Sequence, residues 1–212
     1  MRRRWSGFYF ITDSGLSRKG IIADVKEALA AGAVMVQYRE KVKGYPERRK
    51  EALEIQALCR EAKTPFIVND DVELARDIGA DGVHVGQSDM ALSEARKLLG
   101  SNAIIGVSVG SVDEARLAAS SGAGYLAVSP VFATPTKPDA GPCVGIDGIQ
   151  AIRKVTDLPL VAIGGIDKDN ISLVLAAGAD MICAISASLA GGKVAENIRE
   201  LMSFNNTTLG SL

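Results

Sequence analysis

Short apolar runs alternate with stretches of helical spacing along the chain. Phe66-Ile67-Val68 and Val83-His84-Val85 are bounded apolar runs rich in β-branched residues, the pattern of buried parallel strands. Each ends in a polar cluster with an acidic group, Asn69-Asp70-Asp71 and Gln87-Ser88-Asp89. Between them, Val72-Glu73-Leu74-Ala75-Arg76-Asp77-Ile78 has helical spacing and stops at Gly79, so the unit reads strand, short helix, strand. Strands joined in this way run parallel, with their C-terminal ends side by side on one face of the sheet. Asp70 and Asp89 are therefore expected at one mouth.

One phrase recurs. Ala31-Gly32-Ala33, Ile78-Gly79-Ala80-Asp81, Ser121-Gly122-Ala123 and Ala177-Gly178-Ala179-Asp180 each close a helical pattern and lead at once into an apolar run. Glycine stops a helix because it takes the left-handed conformation without a Cβ clash. Filling in between the copies predicts strands over 7–12, 34–38, 65–68, 82–85, 104–107, 125–128, 160–163 and 181–185. Helices are predicted over 21–31, 45–62, 72–78, 91–99, 112–120, 148–154, 169–177 and 194–204. Eight such units in 212 residues predict an α/β fold, a single-domain (β/α)8 TIM barrel over 1–204, with a polar tail over 205–212 expected to fray. The alternative is an open doubly wound sheet, which ranks second because no G-x-G-x-x-G turn follows the first strand.

Composition narrows the function. The net charge of −1 offers no field for a polyanion, so nucleic acid is not an expected partner. No run approaches the ~20 apolar residues of a membrane span, and the apolar run behind Met1-Arg2-Arg3-Arg4 is too short for a signal peptide. Cys59, Cys143 and Cys183 are odd in number and lack a C-x-x-C pairing, so they are expected to be reduced thiols of a cytoplasmic protein. Cys143 and Cys183 have no adjacent base and are read as packing residues.

In a barrel of this kind the chemistry sits at the C-terminal ends of the strands. Those ends carry Thr12-Asp13, then Gln37, Arg39, Glu40 and Lys41, then Asn69-Asp70, Gln87 and Asp89, and Ser108. A long loop from Ser129 to Gly141 holds Lys137, and the last two strands end near Gly164-Gly165 and Ser186. Two carboxylates at one mouth suit Mg²⁺, which takes one or two protein carboxylates and completes its shell with water and phosphate oxygens. Capping remains the other reading, with Asp71 opening the following helix and Ser88 or Asp89 capping one at Met90-Ala91-Leu92-Ser93. Gly164-Gly165-Ile166 and Ile185-Ser186-Ala187 stand where barrels hold a phosphate. Arg39, Lys41 and Lys137 with a dication carry enough charge for a pyrophosphate. His84, the only histidine, is expected inside the barrel on hydrogen bonds rather than as a catalytic base.

These motifs resemble a known family. Gln37-Tyr38-Arg39-Glu40-Lys41, Asn69-Asp70, His84-Val85-Gly86-Gln87-Ser88-Asp89, Val131-Phe132 to Thr134-Pro135-Thr136-Lys137, Gly164-Gly165-Ile166 and Ile185-Ser186 together resemble thiamin phosphate synthases, also called thiamin-phosphate pyrophosphorylases. The resemblance implies a Mg²⁺-dependent transferase of thiamin biosynthesis. Such an enzyme joins 4-amino-5-hydroxymethyl-2-methylpyrimidine diphosphate to 4-methyl-5-(2-hydroxyethyl)thiazole phosphate and releases pyrophosphate by a dissociative route. It implies that Gln37, Tyr38, Arg39, Glu40, Lys41, Asn69, Ser108 and Lys137 hold the pyrimidine diphosphate, with Arg39, Lys41, Ser108 and Lys137 catalytic. Asp70 and Asp89 would hold one Mg²⁺ per subunit. Thr134, Pro135, Thr136, Gly165, Ile185 and Ser186 would hold the thiazole phosphate. The competing readings are a thiazole tautomerase on the same barrel, which needs neither diphosphate nor metal, and a non-catalytic barrel that senses phosphorylated ligands. Small phosphorylated molecules are the expected partners, and oligomeric state is left open, a homo-oligomer included.

Overall fold

The computed structural model describes residues 5–136 and 141–203. Eight parallel strands close into a barrel in sequence order, β1 (Gly7–Ile11), β2 (Met35–Tyr38), β3 (Phe66–Asn69), β4 (Gly82–Val85), β5 (Ile104–Val109), β6 (Tyr125–Val128), β7 (Leu160–Ile163) and β8 (Met181–Cys183). Closure is made by β8 pairing with β1, through Gly7 opposite Met181 and Phe8 opposite Ile182. The strands are separated by α1 (Ile21–Ala30), α2 (Tyr45–Glu61), α3 (Val72–Ile78), α4 (Leu92–Leu99), α5 (Val112–Ser120), α6 (Gly145–Arg153) and α7 (Ile171–Ala176). After β8 come α8 (Ile185–Leu189), a 3-10 turn (Ala190–Gly192) and α9 (Val194–Ser203). The expected tail lies outside the described residues, as do Phe204 and Lys137.

Alternation along the strands divides the interior into two layers. Tyr9, Ile11, Met35, Ile67, Tyr125, Ala127, Val161, Met181 and Cys183 fill the barrel, whereas Phe8, Phe10, Val36, Tyr38, Phe66, Val68 and their counterparts pack beneath the helices. Both faces are buried, so the strands read as continuous apolar runs. The glycine that closes each repeated phrase has positive φ, at 87° for Gly32, 62° for Gly79, 88° for Gly122 and 108° for Gly178. In both copies that end in aspartate, the carboxylate accepts the first N–H of the preceding strand: Asp81 from Phe66 at 2.8 Å and Asp180 from Leu160 at 3.0 Å. The phrase therefore stops a helix and pins the strand beside the next one. Size complementarity closes the middle of the barrel, because Gly106 faces Tyr125 across the β5–β6 pair. A Cβ on Gly106 would fall 2.0 Å from the Tyr125 ring.

Element boundaries fall within one or two residues of expectation except at α6, and after β8 the element type itself changes. The strand expected over 181–185 ends at Cys183, and Ile185 begins a five-residue helix instead. That helix is too short for a 3.6-residue period to show above its apolar composition. Helix α6 starts at Gly145, three residues before the expected position 148.

Candidate active site

A cavity of about 620 Å³ opens at the C-terminal ends of the strands. Its walls bring together Gln37, Arg39 and Lys41 from β2 and the loop after it, with Asn69 and Asp70 from the end of β3. Asp89 and Ser108 complete this arc of the rim. The other arc carries Thr134 and Thr136 from the loop after β6, Gly165 after β7, and Ile185 and Ser186 at the start of α8.

Three expected residues are placed elsewhere. Tyr38 follows inward-facing Gln37 by one position and so faces outward, where it is buried and its hydroxyl donates to Glu51 of α2 at 3.0 Å. Glu40 turns back on its own loop and accepts the Val42 N–H at 2.8 Å. Burial opposes its charge, but the Val42 and Lys43 N–H groups and the Lys43 ammonium hold its carboxyl below the usual range. Pro135 is exposed and does not line the cavity. Lys137 falls outside the described residues.

The two acids differ in their setting. Asp70 sits in the left-handed region at φ 59°, its N–H donates to the His84 carbonyl at 2.8 Å, and its carboxylate pairs with Lys41 at 2.5 Å. Asp89 accepts the Gly86 N–H at 2.7 Å, bracing the turn after β4. The capping alternative is thus divided. Asp71 is the N-cap of α3, accepting the Leu74 N–H at 2.9 Å and pairing with Arg48, whereas α4 starts after Ala91 with no side-chain cap. Among the described residues no three His, Cys, Asp or Glu side chains cluster as a closed metal cage. Two carboxylates on neighbouring strand ends at an open mouth fit a hard cation that keeps water and takes phosphate oxygens as its remaining ligands.

Arg39 is held from behind. Its N–H donates to Thr12 Oγ1 at 2.8 Å, the same hydroxyl donates to its carbonyl at 3.1 Å, and its guanidinium lies 3.7 Å from Asp13. Below the mouth, polar groups replace the apolar filling. Gln37 bonds to Tyr9, and His84 bridges Tyr125 and Ser108, so the histidine is an interior residue on hydrogen bonds as expected. Burial pushes the Tyr9 and Tyr125 phenols up, so both remain O–H groups. Tyr9 also lines the cavity floor, although it is not among the expected site residues. Its position two before inward-facing Ile11 was the available signal. Ser111 and Glu114, likewise outside the expected set, line the cavity where α5 begins. Cys183 packs inside the barrel as expected, but Cys143 is exposed rather than a packing residue, and all three thiols are free.

A closed (β/α)8 barrel whose C-terminal mouth gathers cations, hydroxyls, glycines and two carboxylates defines a phosphate-handling enzyme class. The sequence model of the family described as thiamine monophosphate synthase matches residues 8–188, and the chain belongs to that family. Among its relatives, the thiamine-phosphate synthase of Chloroflexus aurantiacus is 46% identical over 201 residues, covering 94% of this chain and 93% of the relative. That of Methanosarcina mazei is 46% identical over 195 residues, covering 92% and 81% respectively. Among solved structures, the thiamine phosphate pyrophosphorylase of Pyrococcus furiosus superposes with a TM-score of 0.87 at 38% identity, covering 96% of this chain and 97% of that one.

Proposed function

We propose that this chain is a transferase that condenses 4-amino-5-hydroxymethyl-2-methylpyrimidine diphosphate with 4-methyl-5-(2-hydroxyethyl)thiazole phosphate, giving thiamin phosphate and pyrophosphate. The observation that carries the reading is the division of one mouth into two arcs. The charged arc holds Arg39, Lys41, Asp70 and Asp89, and the glycine- and hydroxyl-rich arc holds Thr134, Thr136, Gly165 and Ser186. The first suits a diphosphate with a cation, and the second suits a monophosphate reached through backbone N–H groups and the start of a short helix.

Breaking the C–O bond of the pyrimidine diphosphate puts negative charge on the departing pyrophosphate and positive charge on the ring methylene. Arg39 offers a planar fork and Lys41 a point charge to the departing oxygens, with Ser108 as a hydroxyl donor and Lys137 as a further cation from its loop. Mg²⁺, one per subunit on Asp70 and Asp89, would supply additional positive charge where the leaving group forms. Gln37 gives its amide N–H to Tyr9 and keeps an acceptor oxygen for the amino group of the pyrimidine. Thr134, Thr136, Gly165, Ile185 and Ser186 hold the thiazole with its nitrogen over the developing cation, so orientation replaces a protein nucleophile. The free thiols support a cytoplasmic setting for the reaction.

Incubating the protein with both phosphorylated substrates and Mg²⁺ tests the reading. Pyrophosphate should be released only when both substrates are present. Binding of the thiazole phosphate without pyrophosphate release would refute it.

A further inference from the structure

A continuous row of polar side chains links the barrel floor to the charged arc of the mouth. Gln37 Nε2 donates to Tyr9 Oη at 2.8 Å, and the Tyr9 and Tyr125 hydroxyls lie 2.6 Å apart. Tyr125 Oη is 3.0 Å from His84 Nδ1, and His84 Nε2 is 2.9 Å from Ser108 Oγ. The row crosses β2, β1, β6, β4 and β5, so only barrel closure can assemble it. We propose that the row is directional and that Tyr125 is a positioning residue. It fixes His84 in the Nε2–H tautomer, which makes Ser108 accept from the imidazole and present its own hydroxyl hydrogen to the anionic group in the mouth. The identity of that group as a diphosphate rests on the synthase reading, whereas the direction of the bonds does not.

The direction follows from counting hydrogens. An amide nitrogen can only donate, so Tyr9 Oη receives from Gln37 and its own hydrogen serves the short bond to Tyr125. Tyr125 has then accepted, and its hydrogen goes to His84 Nδ1. A neutral imidazole that accepts at one nitrogen donates at the other, so Nε2–H points to Ser108. A hydroxyl that already accepts a hydrogen bond becomes a stronger donor, and donation to a phosphate oxygen strengthens as negative charge gathers there. Tyr9 and Tyr125 are at most 2% exposed and His84 is 7% exposed, so little water competes for these bonds. With the Gln37 amide reversed, every bond would reverse, and Ser108 would donate to His84 rather than to the ligand.

His84 is the only histidine, so the nitrogen-15 imidazole spectrum of the labelled full chain needs no assignment. The expected spectrum shows hydrogen on Nε2 and none on Nδ1. Tyr125→Phe keeps the ring that fills the hollow at Gly106 and removes only the hydroxyl. It is expected to populate the second tautomer and to lower kcat roughly fivefold with KM within about twofold, the scale of one neutral hydrogen bond lost from the transition state. In a Ser108→Ala background, Tyr125→Phe should lower kcat no further, because both act through one donor. An Nδ1–H tautomer in the unmodified protein overturns the proposal, as does unchanged kcat in Tyr125→Phe or full additivity with Ser108→Ala. If Tyr125→Phe fails to fold, the spectrum of the unmodified protein decides alone. Absence of pyrophosphate release from the unmodified protein would strike the synthase reading, with the spectrum still deciding the direction of the row.

Discussion

Replacing Asp70 by Asn and by Ala separates its charge from its backbone. Without metal, the carboxylate is paired with Lys41 at 2.5 Å, with the two side chains 27% and 55% exposed respectively. A pair this open to solvent contributes about 0.2–1 kcal/mol. The residue also holds φ at 59°, a conformation that Asn tolerates and that costs Ala about 1–2 kcal/mol. Asp70→Asn should therefore destabilise the metal-free protein by at most about 1 kcal/mol, a Tm drop of roughly 2–4 °C for a chain of this size. The Lys41 pair means that a net gain from relieved carboxylate repulsion is not expected. Asp70→Ala should lose about 1–3 kcal/mol, the pair and the backbone contributions together. Turnover should behave differently, because both variants remove the same charge and should fall alike, by roughly 10²-fold, with a weakened magnesium dependence. Melting curves and magnesium titrations of turnover on both variants provide the test. An unchanged magnesium curve for Asp70→Asn would refute the metal assignment, and turnover that tracks Tm rather than charge would show that Asp70 acts through its backbone.

Lys137→Ala should lower turnover roughly 10²-fold with Tm unchanged, and activity within a few-fold of the parent would remove Lys137 from the leaving-group site. Gly165 has φ 64°, and a Cβ there would fall 2.6 Å from the Ala133 carbonyl, so Gly165→Val should displace the loop after β6 and raise the KM for the thiazole phosphate roughly tenfold or more. Pyrimidine diphosphate binding should stay near normal, and an effect confined to it would show that the two arcs are exchanged. Asp24, in the first turn of α1, is 1% exposed, and burial raises its carboxyl above the usual range. A raised acid is most stable in the fold when neutral, so its contribution is present at low pH and lost as pH rises through the folded value. Asp24→Asn should accordingly raise Tm in neutral solution by a few degrees, with the gain shrinking as pH falls toward the ordinary aspartate value of about 3.9, as thermal melts across pH will read. Thiol labelling of the native protein should modify Cys143 and spare Cys59 and Cys183, since burial suppresses their thiolates and pushes Cys59 up to about 12.

Most of the fold was legible because its signals are local. A bounded apolar run, a helical period and a glycine at the junction lie within a dozen residues of one another, and their repetition specifies the order of strands and helices. The mouth was legible at one remove, since parallel strands must present their C-terminal ends together; this brought Arg39, Lys41, Asn69, Asp70, Asp89 and Ser108 to one cavity. Within single strands, the period of two could have excluded Tyr38, which stands next to inward-facing Gln37, but the motif as a block concealed the alternation.

What the sequence by itself determined is the set of elements and the rim on which its chemistry stands. The tertiary structure decided the partners of each group. Asp71 caps a helix while Asp89 braces a turn, although both are acids just after a strand. Glu40 folds back on Val42 while Lys41 beside it reaches Asp70. The row from Gln37 to Ser108 draws on five strands, and its Tyr9–Tyr125 bond spans 116 positions in sequence. Such contacts leave no local period, because they depend on the curvature and closure of the whole sheet. Side-chain direction is set by neighbouring residues, whereas contact across the barrel is set by where the last strand meets the first.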